Sequence, residues 1–167
     1  MSMTPREAIN QLQREAIALQ GKMIDIAATK AVRFFTDNFA RQGWIEDGQL
    51  HPWEPRKNGK DPGRPILQGI GRRRLSVSLR YIKVGPYSAL IGSDVPYAGV
   101  HNEGLRINAT QRVHPFTRRD GVAVKGFVRH IDFQMPKRQF VGESPDVYKS
   151  VERELFKAIE EITNKLK

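Results

Sequence analysis

The sequence predicts an α+β domain: a long N-terminal helix, an antiparallel β-sheet of about four strands built from two hairpins, and a C-terminal helix packed on the sheet. Three observations carry that prediction. Apolar residues recur at helical spacing near both ends of the chain, strand-like alternation with turn signals fills the middle, and the two patterns are segregated rather than interleaved. Segregation of this kind suits an antiparallel sheet with helices to one side. With 167 residues the chain has the usual size of one domain, expected over 1–167, with a helical arm at 4–41 and a mobile loop at 45–66.

The first helix opens at Thr4-Pro5-Arg6-Glu7, where Thr4 can cap an open amide, Pro5 is preset for the first turn and Glu7 completes a capping box. Ile9, Leu12, Ala16, Leu19, Met23 and Ile26 follow in steps of three and four, continued by Ala31, Phe34 and Phe35. Unbroken to Asn38, the helix would span roughly 50 Å, more than a compact domain needs. Three readings stay open: Gly21 breaks it, its stripe packs within the chain, or its early part projects and buries the stripe against a second subunit.

Gly43 is expected to end this helix. Residues 43–66 are crowded with breakers, including Asn58-Gly59 and Asp61-Pro62-Gly63, and read as one long loop anchored at its ends by Trp44, Trp53, Ile66 and Leu67. Leu75, Val77, Leu79 and Tyr81 then alternate with polar residues as a strand would, although Gly71 to Leu75 also fits a short helix. Gly85-Pro86 turns a first hairpin between Leu79–Val84 and Ser88–Gly92, and Pro96 begins a short helical segment. Asp120-Gly121 turns a second hairpin between Val113–Thr117 and Val122–Phe133. Ser144-Pro145-Asp146 starts the last helix, whose apolar stripe runs through Val147, Val151, Leu155, Ile159, Ile162 and Leu166.

The net charge of +10 is unevenly spread. Residues 33–140 hold 19 Lys and Arg against 9 Asp and Glu, while both ends are close to neutral. The densest stretch contains Arg56, Lys57, Arg72, Arg73 and Arg74, a surface that attracts polyanions and equally suits an acidic protein. Mean hydropathy is −0.52, and no run of about 18 apolar residues or signal-peptide core occurs, so neither a membrane span nor secretion is expected.

Few catalytic devices fit the sequence. The absence of cysteine excludes disulfides, thiolate metal sites and cysteine nucleophiles. His51, His101, His114 and His130 never take a metal-ligand spacing, so no metal is expected. Gly69-Ile70-Gly71 lacks the third glycine and preceding strand of a dinucleotide loop, and no phosphate-binding GxxxxGK run occurs, so no cofactor is expected. His101 and Glu103 invite a general-base reading, but no activated nucleophile stands near them in sequence, so no catalytic residue is assigned and the chain reads as a non-enzyme.

Several segments carry a resemblance in their order and wording: Phe39-Ala40-Arg41-Gln42-Gly43-Trp44, Trp53-Glu54-Pro55-Arg56-Lys57, Pro65 to Leu75, Pro96-Tyr97-Ala98-Gly99-Val100-His101-Asn102-Glu103-Gly104, and Met135-Pro136-Lys137-Arg138-Gln139-Phe140-Val141-Gly142. Together they resemble the virion-morphogenesis, or tail-completion, family of tailed phages and Mu-like prophages, from about Phe34 onward. Here Arg72-Arg73-Arg74 is more basic than the family's usual Gly-Arg-Leu-Arg wording. The resemblance implies a non-enzymatic structural protein at the neck or tail, in contact with other virion proteins such as connector and tail subunits. It further implies a homo-oligomeric ring, six copies being the first count to test, located in the virion and assembled in the bacterial host cytoplasm.

The residues expected to carry protein interaction are Trp44, Trp53, Arg56, Lys57, Arg72, Arg73, Arg74, Tyr97, His101, Arg138 and Phe140. Trp44 and Trp53 read equally as core anchors, Arg138 as a cap on carbonyls, and Phe140 as a return to the core. Tyr97 and His101, four apart, would share a helix face. The mechanism expected is ordering of the 45–66 loop on assembly, with non-specific contact to passing DNA. The alternative is a basic nucleic-acid-binding regulator using the same arginines, for which no recognition helix is evident.

Overall fold

In the computed structural model, which describes residues 4–56, 63–69 and 75–165, Thr4 caps a single helix, α1, running Pro5–Arg41. The Glu7 amide donates to Thr4 Oγ1 at 3.3 Å and Glu7 Oε2 accepts from the Thr4 amide at 2.8 Å, closing the capping box. Gly21 does not break the helix; an exposed glycine costs only about 1 kcal/mol against alanine. At 37 residues α1 is about 55 Å long. It ends through Gln42 rather than Gly43. Gln42 turns left-handed at φ 58°, and its side chain bonds the Phe39 and Ile66 carbonyls and the Ile66 amide.

The stretch read as a loop over 45–66 begins instead as a hairpin. β1 (Gly43–Glu46) pairs with β2 (Gln49–Pro52), Trp44 opposite His51, around Asp47 at φ 50° and Gly48 at φ 73°. Two consecutive positive φ values are what a tight hairpin turn requires, and Asp-Gly tolerates both. Residues 57–62, the middle of the expected mobile loop, lie outside the described residues.

Leu75–Val77 forms one turn of 3-10 helix, so the strand starts at Arg80 rather than Leu75. β3 (Arg80–Gly85) pairs antiparallel with β4 (Ser88–Gly92), as predicted. This hairpin is pinned to α1: Tyr81 Oη and Lys83 Nζ donate to the two oxygens of Asp25, at 3.0 and 2.6 Å, and Gln20 Nε2 donates to Tyr87 Oη at 2.9 Å. A short helix, α2 (Ala98–Glu103), precedes the second hairpin. There β5 (Arg106–Val113) and β8 (Phe127–Gln134) form an eight-rung ribbon, extended by the two-residue strands β6 (Phe116–Thr117) and β7 (Ala123–Val124) around the Asp120-Gly121 turn. The strands thus make four antiparallel two-stranded ladders.

α3 (Pro145–Lys165) lies chiefly along α1, running antiparallel, with a smaller contact on β1. Asp146 accepts the Gly48 amide at 3.0 Å, Lys30 pairs with Glu154 at 3.1 Å, and Ile159 sits near Met23. The core gathers at the C-terminal half of α1. Phe35 stacks on Trp44 with centroids 6.3 Å apart, and Phe39 meets Trp53 edge-on at 5.5 Å and Phe140 at 5.0 Å. Ala31, Leu75, Leu79, Val95 and Val147 complete it. The N-terminal half of α1 keeps Ile9, Leu12 and Met23 of its stripe exposed, and Ile17 beside it by 70%. No helix among the described residues is long and apolar enough to cross a membrane.

Candidate functional site

The segment 135–144 has no strand or helix to satisfy its backbone, so side chains from elsewhere must do it. Asn102, on α2, provides most of the answer: its Oδ1 accepts the amides of Phe140 and Val141, both at 3.0 Å. The His101 carbonyl accepts the Arg138 amide at 2.8 Å. Asn38, fully buried on α1 between Phe35 and Phe39, donates to the Phe140 carbonyl at 3.2 Å, and Trp53 Nε1 donates to the Gln139 carbonyl at 2.8 Å. Arg138, only 6% exposed, turns inward and gives Nε and Nη2 to the Glu54 carbonyl at 3.0 and 2.8 Å. Burial depresses its pKa, and Glu54 partly offsets this.

Gly104 ends α2 in the left-handed region at φ 66°, and a Cβ there would stand 2.8 Å from the Lys137 backbone nitrogen. Glycine therefore sets how closely α2 approaches the 135–144 segment. His101 lies half-buried with its ring edge-on to Tyr97, centroids 5.9 Å apart, and among the described residues its Nδ1 has no hydrogen-bond partner. Burial first, and the Arg138 charge second, push its pKa below the usual histidine value.

Trp44, Trp53, Arg138 and Phe140, expected to touch partners, lie inside the fold of the single chain: each is buried and engaged with the core or with carbonyls. Tyr97 is exposed. Arg56 is half-buried and donates to the carbonyls of Arg64 and Pro65 at 2.9 and 2.7 Å. Lys57, Arg72, Arg73 and Arg74 lie outside the described residues. The sequence reading passed over Asn38 and Asn102. A polar residue on the apolar stripe of α1 was the available signal for the first; the second stands in an Asn-Glu pair noticeable only as a departure from the family's usual wording, with no structural role attached to it.

His101 and Glu103 do not form a pair; Glu103 instead accepts from Asn102 Nδ2 at 2.5 Å. A polar cleft of roughly 490 Å³ between α1, the β1–β2 turn and α3 is lined by Lys30, Arg33, Arg41 and Arg153 against Asp37 and Asp146, with no histidine. Among the described residues no group of three His, Cys, Asp or Glu could hold a metal ion.

The segments brought together at Phe140 are those whose wording carries the family resemblance, and the model of the phage virion morphogenesis family matches residues 5–160. The chain belongs to the phage virion morphogenesis family. No curated protein and no solved structure gives a match. Family membership makes this a protein of phage virion assembly and implies contact with other virion proteins. In this virion morphogenesis protein much of the described family-like wording forms a packed node, while exposed apolar residues stand on the β5–β8 ribbon, on the early turns of α1 and on α3.

Proposed function

We propose that this chain is a non-enzymatic structural protein that completes the tail or neck of a tailed phage so that head and tail join, acting as one copy of a homo-oligomeric ring. The observation that carries the reading is the division of labour just described. Burying a node of aromatic and polar side chains while exposing apolar residues on projecting elements is the economy of an assembly part, since large exposed apolar patches mark interaction sites. The site chemistry supports binding too: His101 Nδ1 has no hydrogen-bond partner among the described residues, so no carboxylate orients the ring through that atom.

The regulator reading needs a recognition helix presented to a groove. Among the described helices α2 has six residues, and α1 and α3 pack on each other. Deleting the coding frame from a phage or inducible prophage tests the proposal. Filled heads and separate tails, with joining restored by adding the purified protein to an extract, are expected. Normally joined, infectious particles would overturn it.

A further inference from the structure

An isolated two-stranded ribbon is marginally stable in water unless one face is covered. The β5–β8 register places Ile107 opposite Phe133, Ala109 opposite Ile131 and Val113 opposite Phe127, all on one face. The fourth rung of that face, Gln111 with Arg129, carries its one charge, and Arg129 Nε is held by Gln111 Oε1 at 2.8 Å. The opposite face is polar, with Arg106, Asn108, Thr110, Arg112, His130, Asp132 and Gln134, and Val128 as its one apolar residue. This is the sidedness of a sheet with a buried face, yet the ribbon packs substantially on no other described element, and Phe127 and Phe133 stay 45% and 44% exposed.

A surface of matching length and opposite charge lies on the same chain. Two adjoining cavities of roughly 510 and 390 Å³ share Tyr148 and Val151 and so form one trough along α3. Met23, Leu155, Phe156 and Ile159 line one end; Ala28, Ala89, Ile91 and Val147 line the other. Its only charged lining residues are Glu143 and Glu152. Tyr148 and Phe156 are 60% and 58% exposed. From Pro145 to Ile159 the α3 wall is about 21 Å long, and eight residues of ribbon span about 26 Å.

We propose that the β5–β8 ribbon of one copy docks, apolar face down, in this trough of a second copy, with Arg129 meeting Glu143 and Glu152. The proposal deepens the reading of the chain as a ring-forming virion component and rests on its self-association. In its own chain the ribbon does not pack on the trough, and its root is tied to α2. The Leu105 amide bonds the Val100 carbonyl at 3.1 Å, and the Met135 amide bonds the Leu105 carbonyl at 3.1 Å. Each copy therefore gives one ribbon and receives another, a heterologous contact that builds rings when its rotation closes.

The chain has no cysteine, so two single variants report the contact cleanly. Ile131→Cys marks the middle of the ribbon and Tyr148→Cys the middle of the trough. An equal mixture treated with a short bis-maleimide is expected to give a covalent dimer in at least tenfold greater yield than either variant alone. Arg129→Glu is expected to weaken association at least tenfold, and adding Glu143→Lys and Glu152→Lys to the same chain to restore it. Equal cross-linking of Ile131→Cys with itself would mean that ribbons pair with ribbons and would overturn the proposal. So would loss of duplex-DNA binding by Arg129→Glu with association unchanged. An oligomeric mass without the mixed cross-link would overturn this interface while leaving ring formation standing; a monomeric mass at every concentration would remove both.

Discussion

The node around Phe140 and the β5–β8 ribbon use similar residues to opposite ends. In the node, aromatic rings and single polar atoms are consumed inside one chain: Asn102 holds two amides, Trp53 one carbonyl, Arg138 another. On the ribbon, aromatic residues and arginines stand in water. The contrast teaches that distinctive wording in a sequence marks where backbone must be held, and that interaction surfaces can be written in plain alternation with no motif at all. A buried tryptophan or arginine has one geometry to satisfy, whereas a docking face needs only the right alternation, length and charge.

Three single variants, one double variant and a titration with its own control variant break or sharpen the comparison. The largest effect is expected for Trp53→Ala, which empties part of the core beside Phe39 and removes the bond to the Gln139 carbonyl. A loss of about 3–5 kcal/mol in urea unfolding followed by circular dichroism is expected. A loss below about 1 kcal/mol would mean that the node is not the stable part of the molecule. Asn102→Ala leaves the Phe140 and Val141 amides without their acceptor and is expected to cost about 2–4 kcal/mol. Gly104→Ala combines a positive φ with a contact on the Lys137 backbone, for an expected cost of about 1–3 kcal/mol by the same assay.

The ribbon should behave differently. Paired Phe127→Ser and Phe133→Ser substitutions are expected to leave stability of the free chain within about 0.5 kcal/mol while abolishing incorporation into particles, measured by complementation of the deletion phage. A stability loss as large as that of Asn102→Ala would erase the distinction between the two regions. The smallest effect concerns pH. His101 has a depressed pKa in the fold, so the folded chain binds fewer protons there than the unfolded chain. Its contribution is present above the ordinary value of 6.5 and is lost as pH falls below it. Stability should decline modestly from about pH 7 to about pH 5, and His101→Leu should flatten that decline. Glu7, Asp25, Asp132 and Glu154, whose pKa values are lowered by Thr4, Lys83, Arg106 and Lys30, stabilise the fold above their ordinary values of 4.5 and 3.8 and lose that contribution as pH falls through and below those values, mostly under this window.

Much of the fold was legible because its signals are local. Thr4 and Glu7 cap α1 as their spacing demands, and Asp120-Gly121 turns the long hairpin. The same Asp-Gly signal at Asp47-Gly48 went unread, since the breakers further along drew residues 43–66 into one loop. The helix ends at Arg41, as the expected arm of 4–41 does, but that its cap is Gln42 and not Gly43 was illegible for another reason. A non-glycine left-handed cap is held by its own side chain reaching Ile66, 24 residues away, and no local pattern announces such a partner.

The interaction residues divide along the same line. That Trp44, Trp53, Arg138 and Phe140 matter could be read from residue type and order, but whether they face solvent or each other depends on chain segments nearly a hundred residues apart. The sequence by itself determined the α+β class, the helix starts, the hairpin turns and the excess of positive charge, because each follows from dihedral preference, periodicity or counting within a short window. Only the tertiary structure decided that the ribbon stands clear of the body, that α3 lies along α1, and that Asn102 organises the 135–144 segment. Those outcomes depend on which surfaces compete for the same burial, a comparison made only when the whole chain is folded.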